Sequence, residues 1–204
     1  MDKLRSYEFG EDWFTVCRPN FERHVLPLAG KPVRLLEIGS FEGRSATWLI
    51  DNVMSRPEAR LDCVDPVIQD RLRRNVERTG RAAQVAFHQG PSRDVLRTLP
   101  LDAFDFIYVD GSHGTVAVLE DAVAAFQLAK PGGIIAFDDY LWNACWDVRS
   151  PTKHGSPKPA IDVFLALYAM PTRYAPLVEV LPVTSKHQMW VLKLAESPSR
   201  GRRP

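Results

Sequence analysis

Cysteine is scarce in this chain, and its few occurrences fall in no pattern. Cys17, Cys63 and Cys145 lie far apart, which offers neither a disulfide framework nor the paired thiols of a zinc site and suits a reducing compartment. Charge of one sign is also missing. The 26 Lys and Arg residues against 25 Asp and Glu leave a net charge of +1, so no general field draws the chain to nucleic acid or to an anionic membrane. No apolar run is long enough to cross a bilayer, and the first residues, Met1 to Glu8, carry no apolar signal region. Internal repeats are absent. The expectation is a cytoplasmic protein with no nucleic-acid or membrane partner, with self-association into a homo-oligomer left open.

What is present is average for a globular domain: 45% hydrophobic and 25% charged residues in a chain of 204. We expect a single domain over residues 1–195, its first 30 residues forming a helical cap or lid, and a flexible basic tail over 196–204. Apolar periodicity alternates helix and strand. Helices are predicted over 13–28, 44–54, 67–79 (closed by Gly80), 92–99, 115–129 and 160–169. Strands are predicted over 33–38, 60–65, 84–88, 104–110 and 134–137, the last opened by Pro131-Gly132-Gly133, with a closing hairpin over 177–183 and 188–194. The residues from 140 to 159 read as a long loop. The pattern predicts an α/β fold, a doubly wound Rossmann-like sheet of seven strands, mostly parallel with an antiparallel last strand.

The segment Val33 to Gly43 carries the most information. An apolar run stops at Glu37, turns through Gly39 and Gly43, and leaves into a helical pattern with Trp48, Leu49 and Val53. A strand feeding a glycine turn at a helix N-terminus is how open α/β sheets grip nucleotide-like ligands. A carboxylate at Glu37 would repel a pyrophosphate but suits a cationic or hydroxyl-bearing ligand, and no third glycine completes the dinucleotide pattern. An ordinary strand-to-helix turn is the plain alternative.

Ligands in such sheets sit at the C-terminal strand ends, and acids recur there. Asp65, held extended by Pro66, can accept hydrogen bonds from a ribose diol, or merely bond nearby backbone. Asp110, Asp138 and Asp139 end neighbouring strands, where their mutual repulsion calls for a hard divalent cation such as Mg²⁺, a shared proton, or pairing with Arg149 or Lys158. His113 follows Asp110 and can act as a general base or cap the next helix. His24, His88, His154 and His187 have no companions that suggest a ligand set, while Lys153 and Lys158 are within reach of a substrate in the long loop. Tyr140, Trp142 and Trp146 either floor a pocket or pin that loop, and Tyr7, Phe9, Trp13 and Phe14 either form a lid or pack in the core.

Five motifs together resemble a known family: Leu-Glu-Ile-Gly-Ser-Phe-Glu-Gly43, Val-Asp-Pro66, Val-Asp-Gly-Ser-His113, Lys-Pro-Gly-Gly133 and Phe-Asp-Asp-Tyr140. They are similar to those of class I S-adenosylmethionine-dependent methyltransferases, in particular the small bacterial group related to macrolide and aminocoumarin sugar O-methyltransferases. The resemblance spans about Val33 to Leu194. It implies that Glu37 and Gly39 hold the methionine part of the cofactor and Asp65 its ribose, with Ser40, Phe41, Gly43, Ser45 and Pro66 in the same binding set. Gly90 and Ser92 would border the adenine, and Asp110, Gly111 and His113 would complete the cofactor set. It also implies Mg²⁺ on Asp110, Asp138 and Asp139, with His113 and Asp110 catalytic. Asp139 stands where catechol and caffeoyl-type relatives carry asparagine, which points toward the sugar-modifying group. The expected activity is O-methylation of a small-molecule hydroxyl. A metal-dependent hydroxylase on the same fold and a non-catalytic binding module are the alternatives.

Overall fold

A computed structural model describes residues 6–142, 155–170 and 175–195. Cys145, Trp146, Arg149, Lys153, His154 and the tail over 196–204 lie outside the described residues. The chain runs through α1 (Arg18–His24), β1 (Arg34–Ile38), α2 (Arg44–Asn52), β2 (Arg60–Asp65), α3 (Asp70–Arg78), β3 (Val85–Gln89) and α4 (Ser92–Val95). It continues through β4 (Phe104–Val109), α5 (Thr115–Leu128), β5 (Ala129–Phe137), α6 (Pro157–Tyr168), β6 (Val178–Val180) and β7 (Met189–Lys193). The seven strands lie in the order β3-β2-β1-β4-β5-β7-β6. The first five run parallel, and β7 is antiparallel to both β5 and β6. Among the described residues no helix is long and apolar enough to cross a membrane.

Strand residues are apolar on both faces because helices cover both. Leu35, Leu61, Phe106 and Tyr108 face a core built with α1, α2 and α3, including Phe21, Leu49 and Leu72. Their strand neighbours Leu36, Val64, Ile107 and Val109 face the other side, against Val118 and Ala122 of α5 and Phe164 of α6. A two-residue side-chain period makes this division unavoidable. Phe21 anchors the first layer, with edge-on contacts to Phe14, Trp48, Phe106, Tyr108 and Trp190.

Several boundaries differ from the sequence reading: α6 begins at Pro157, inside the stretch read as loop, β6 covers only Val178–Val180 of the predicted 177–183, and α4 gives way to a 3₁₀ turn after Val95. The helix predicted over 13–28 shortens to Arg18–His24, followed by a 3₁₀ turn at Leu26–Leu28; Pro27 has no N–H to continue an α-helix. The helix after β2 begins at Asp70 instead of residue 67, since Asp65 accepts the Val67 N–H at 2.9 Å and holds a turn there. β5 begins at Ala129, which pairs with Phe104 before an irregularity between Phe104 and Phe106. Gly133 allows this, because a Cβ there would sit 2.8 Å from the Phe104 carbonyl oxygen.

Candidate active site

The C-terminal ends of the parallel strands open into a cavity of about 1090 Å³. The turn after β1 forms one wall. Gly39, Phe41 and Gly43 all have positive φ, at 88°, 44° and 81°. A Cβ at Gly39 would lie 2.0 Å from the Asp110 carbonyl oxygen, so only glycine lets the ends of β1 and β4 approach this closely. Gly39 donates its N–H to Val64 O at 2.7 Å, which ties the turn to β2.

The candidate cofactor residues divide into two groups. Gly39, Phe41, Asp65, Pro66, Ser92, Asp110, Gly111 and His113 line the cavity. Glu37, Ser40, Gly43, Ser45 and Gly90 do not appear on its wall. Glu37 shares its strand face with Leu35, so it points beneath the turn and accepts the Ser45 hydroxyl of α2. Burial pushes its carboxyl up to about 7, Ser45 and Ser40 pull it down, and the Asp65 charge raises it again. Ser40 Oγ is buried with no hydrogen-bond partner, and a Cβ at Gly43 would meet Leu72 at 2.5 Å. For these residues the position is a support under the wall.

Asp65 makes the backbone hydrogen bonds of its plainer sequence reading. Its carboxylate accepts the N–H groups of Phe41 at 3.0 Å and Val67 at 2.9 Å, and it also faces the cavity. Backbone donors hold the carboxylate in place and leave lone pairs free for a ligand.

At the other end the structure brings Asp110, Asp138, Asp139 and His113 to the same wall. The Asp110 carboxyl is pushed well above the usual range by lost hydration, then by the charges of Asp138, Asp139 and Glu37. Asp138 is also raised, chiefly by burial. It accepts hydrogen bonds from the Tyr108 hydroxyl and, at 2.9 Å, from the Asp139 N–H, with Cys17 Sγ at 3.7 Å. Asp139 has φ 55° and aims its carboxylate at His113 Nε2, 2.6 Å away. That hydrogen bond, with the Asp139 and Asp138 charges, raises the His113 pKa against the opposing effect of burial. Trp142 stacks on the His113 ring with centroids 4.4 Å apart.

Lys158 does not reach the acids; it pairs with Asp162 at 2.5 Å and donates to the Tyr140 hydroxyl at 3.0 Å. Among the described residues, no three His, Cys, Asp or Glu side chains stand as a group that could hold a metal ion. The donors of Asp110, Asp138 and Asp139 nevertheless fit a hard cation in kind, since all are carboxylate oxygens and they raise one another's affinity for positive charge.

Sequence reasoning gave no site role to other wall residues. Asp12 and Val16 line the cavity from the N-terminal side, beside Trp13, and His187 lines it from the turn before β7. His187 is carried there by backbone pairing, its carbonyl accepting the Tyr140 N–H at 2.7 Å. No local motif marks such a long-range contact. Of the aromatic residues expected to form a lid, Phe14 packs in the core instead, 8% exposed, while Trp13 stands 64% exposed at the cavity.

The family described as Methyltransferase domain matches residues 36–140. The chain is 32% identical over 111 residues to a catechol O-methyltransferase of Mycobacterium tuberculosis, which covers 53% of this chain and 48% of that protein. It is 28% identical over 146 residues to the mycinamicin VI 2''-O-methyltransferase of Micromonospora griseorubida, covering 66% of this chain and 33% of the relative. The chain therefore spans about half of the first relative and a third of the second. In fold it is similar to the O-methyltransferase TomG of Streptomyces achromogenes, solved with S-adenosylmethionine, with a TM-score of 0.63 and 21% identity over 91% of this chain and 82% of that one.

Proposed function

The chain belongs to the methyltransferase-domain family, and on that premise we propose that it carries a methyl group from S-adenosylmethionine to a hydroxyl oxygen of a small molecule. The observation that carries this reading is the acidic wall of the cavity. Asp65, Asp110, Asp138 and Asp139 all line it. A volume of about 1090 Å³ exceeds what a single small ligand usually fills, so a cofactor and an acceptor fit side by side. Fixed carboxylates favour a sulfonium over a pyrophosphate, whose charge they would repel.

Asp65 would take the ribose hydroxyls, and Gly39 and Gly111 would let the backbone approach the cofactor. Glu37, buried beneath the turn, would act on the cationic methionine end through its charge. Ser92 lies where the adenine would end. His113, oriented by Asp139 and by stacking on Trp142, would accept the acceptor hydroxyl's proton. Placing that oxygen in line with the methyl group supplies much of the rate. We assign divalent-metal binding to Asp110, Asp138 and Asp139; when bound, such an ion lowers the pKa of a hydroxyl it touches.

Calorimetry with S-adenosylhomocysteine and with NAD tests the cofactor reading. Binding of the first alone is expected; tight NAD binding without a response to S-adenosylhomocysteine would overturn it. Transfer of labelled methyl to hydroxyl-bearing metabolites, read by mass spectrometry, tests the acceptor class. The metal assignment predicts that Asp138→Ala costs on the order of 10²-fold or more in turnover, and that chelator silences the wild type until Mg²⁺ is restored. Full turnover in excess EDTA would remove the metal from the account.

A further inference from the structure

The segment over residues 6–16 lies outside every helix and strand, yet it is tied down by buried polar groups. Glu42, 6% exposed, directly follows Phe41 of the cavity wall. Its carboxylate accepts the Gly10 N–H at 2.5 Å and pairs with Arg71 of α3. Asn75, fully buried on the same helix, exchanges two hydrogen bonds with the Glu8 backbone, each at 2.9 Å, and donates to the Glu42 carbonyl at 2.9 Å. Gly10 fits against this pair because a Cβ would lie 3.1 Å from Arg71 Nη1 and 3.2 Å from Glu42 Oε1. Further along, Asp12 pairs with Arg44 at 2.6 Å. Trp13 then lies against Phe41, with ring centroids 5.4 Å apart.

A buried carboxylate and a buried amide cost free energy unless they are fully partnered. Here both bond the backbone of Glu8 and Gly10, in a stretch over residues 6–13 that buries no side chain of its own before Phe14 enters the core. What that fixation achieves is the placement of Trp13 and Val16 on the cavity, on the side of Phe41 whose N–H is held by Asp65. We propose that Glu42 and Asn75 are positioning residues that lock the strap, so that Trp13 roofs the cavity beside Phe41 and retards cofactor release. This rests on the S-adenosylmethionine reading above. It adds that the turn contacting the cofactor and the roof over it move as one unit, because Glu42 belongs to the turn and holds the strap.

The test is a double-mutant cycle on S-adenosylhomocysteine affinity and dissociation rate, in the full chain, with Glu42→Ala, Trp13→Ala and the pair. Each single change is expected to weaken binding about tenfold, mainly by faster dissociation, and the double change to add little, because Glu42 acts through Trp13. Glu42→Gln keeps the shape and an acceptor for Gly10 while weakening the Arg71 pair; an intermediate loss is expected, and this variant stands in if Glu42→Ala does not fold. Additive losses, or unchanged affinity in the variants of a wild type that binds, would overturn the clamp alone. A wild type that does not bind S-adenosylhomocysteine would overturn the cofactor reading and the roof together.

Discussion

Gly39 and Gly132 share nearly the same backbone angle, φ 88° and 81°, and differ in what surrounds them. A side chain at Gly132 meets open space, whereas one at Gly39 meets the Asp110 carbonyl. Gly132→Ala should therefore cost only the left-handed penalty of about 1–2 kcal/mol. Gly39→Ala should cost more than that and abolish S-adenosylhomocysteine binding, which urea denaturation and calorimetry on both variants would compare. Asp121 of α5 presents a different strain. It is 1% exposed, and neither carboxylate oxygen has a hydrogen-bond partner. Burial raises its pKa to about 6, with the nearby Ser92 hydroxyl offsetting part of the cost and the Glu120 charge adding to it. The folded state thus holds this proton more tightly than the unfolded chain, so stability is lost as pH rises from about 4 to about 6 and stays lost above. Asp121→Asn should stabilise the protein by about 1–2 kcal/mol at pH 8 and by little at pH 4, measured by denaturant titration at both. A variant less stable than wild type at pH 8 would refute this. Asp65 was legible in the sequence as a wall residue because a strand-ending acid before proline has few other places to go. The orientation of Glu37 was not, since Leu35, Leu36 and Ile38 are all buried and no polar alternation marks which face of β1 it takes.

At the scale of elements, the parallel strands were readable because each apolar run is bracketed by turn residues, and their neighbour relations follow from the doubly wound pattern. Less readable were elements whose limits depend on tertiary contacts. Strand β5 extends through Pro131-Gly132-Gly133 only because β4 offers Phe104 as a partner, and α1 is defined as much by its docking as by its periodicity. Asn20 performs that docking. Fully buried, it accepts the Thr184 N–H at 2.7 Å and donates to Gln188 Oε1 at 2.9 Å, fastening α1 to the turn that carries His187. Asn20→Ala removes the acceptor of the Thr184 N–H and leaves Gln188 Oε1 only the Trp190 indole N–H at 3.0 Å, and should cost about 1–3 kcal/mol. Denaturant titration checks the magnitude, and faster hydrogen exchange over residues 184–188 would locate it. Unchanged exchange there would mean that α1 does not hold this turn.

For the molecule as a whole, the proposed cofactor pocket joins the ends of four strands, so occupying it should stabilise the entire domain. S-adenosylhomocysteine at about 100 times its Kd is expected to add roughly 2.7 kcal/mol, a rise in Tm of about 5–10 °C for a chain of this size. A thermal scan with NAD as the control checks this, and an equal shift with NAD would count against the cofactor assignment. The strand order has a further consequence, for synthesis. β7 lies between β5 and β6, so β6 leaves the ribosome before its only partner in the sheet exists. Until β7 follows, the growing chain exposes the edge of β5, where Ile135 and Phe137 will be fully covered in the finished fold. Assembly must wait for the last strand to slide into a gap instead of adding to a margin, a non-local closure that slows folding. During translation, then, a chaperone's most useful grip on this protein would be the unfilled slot beside β5.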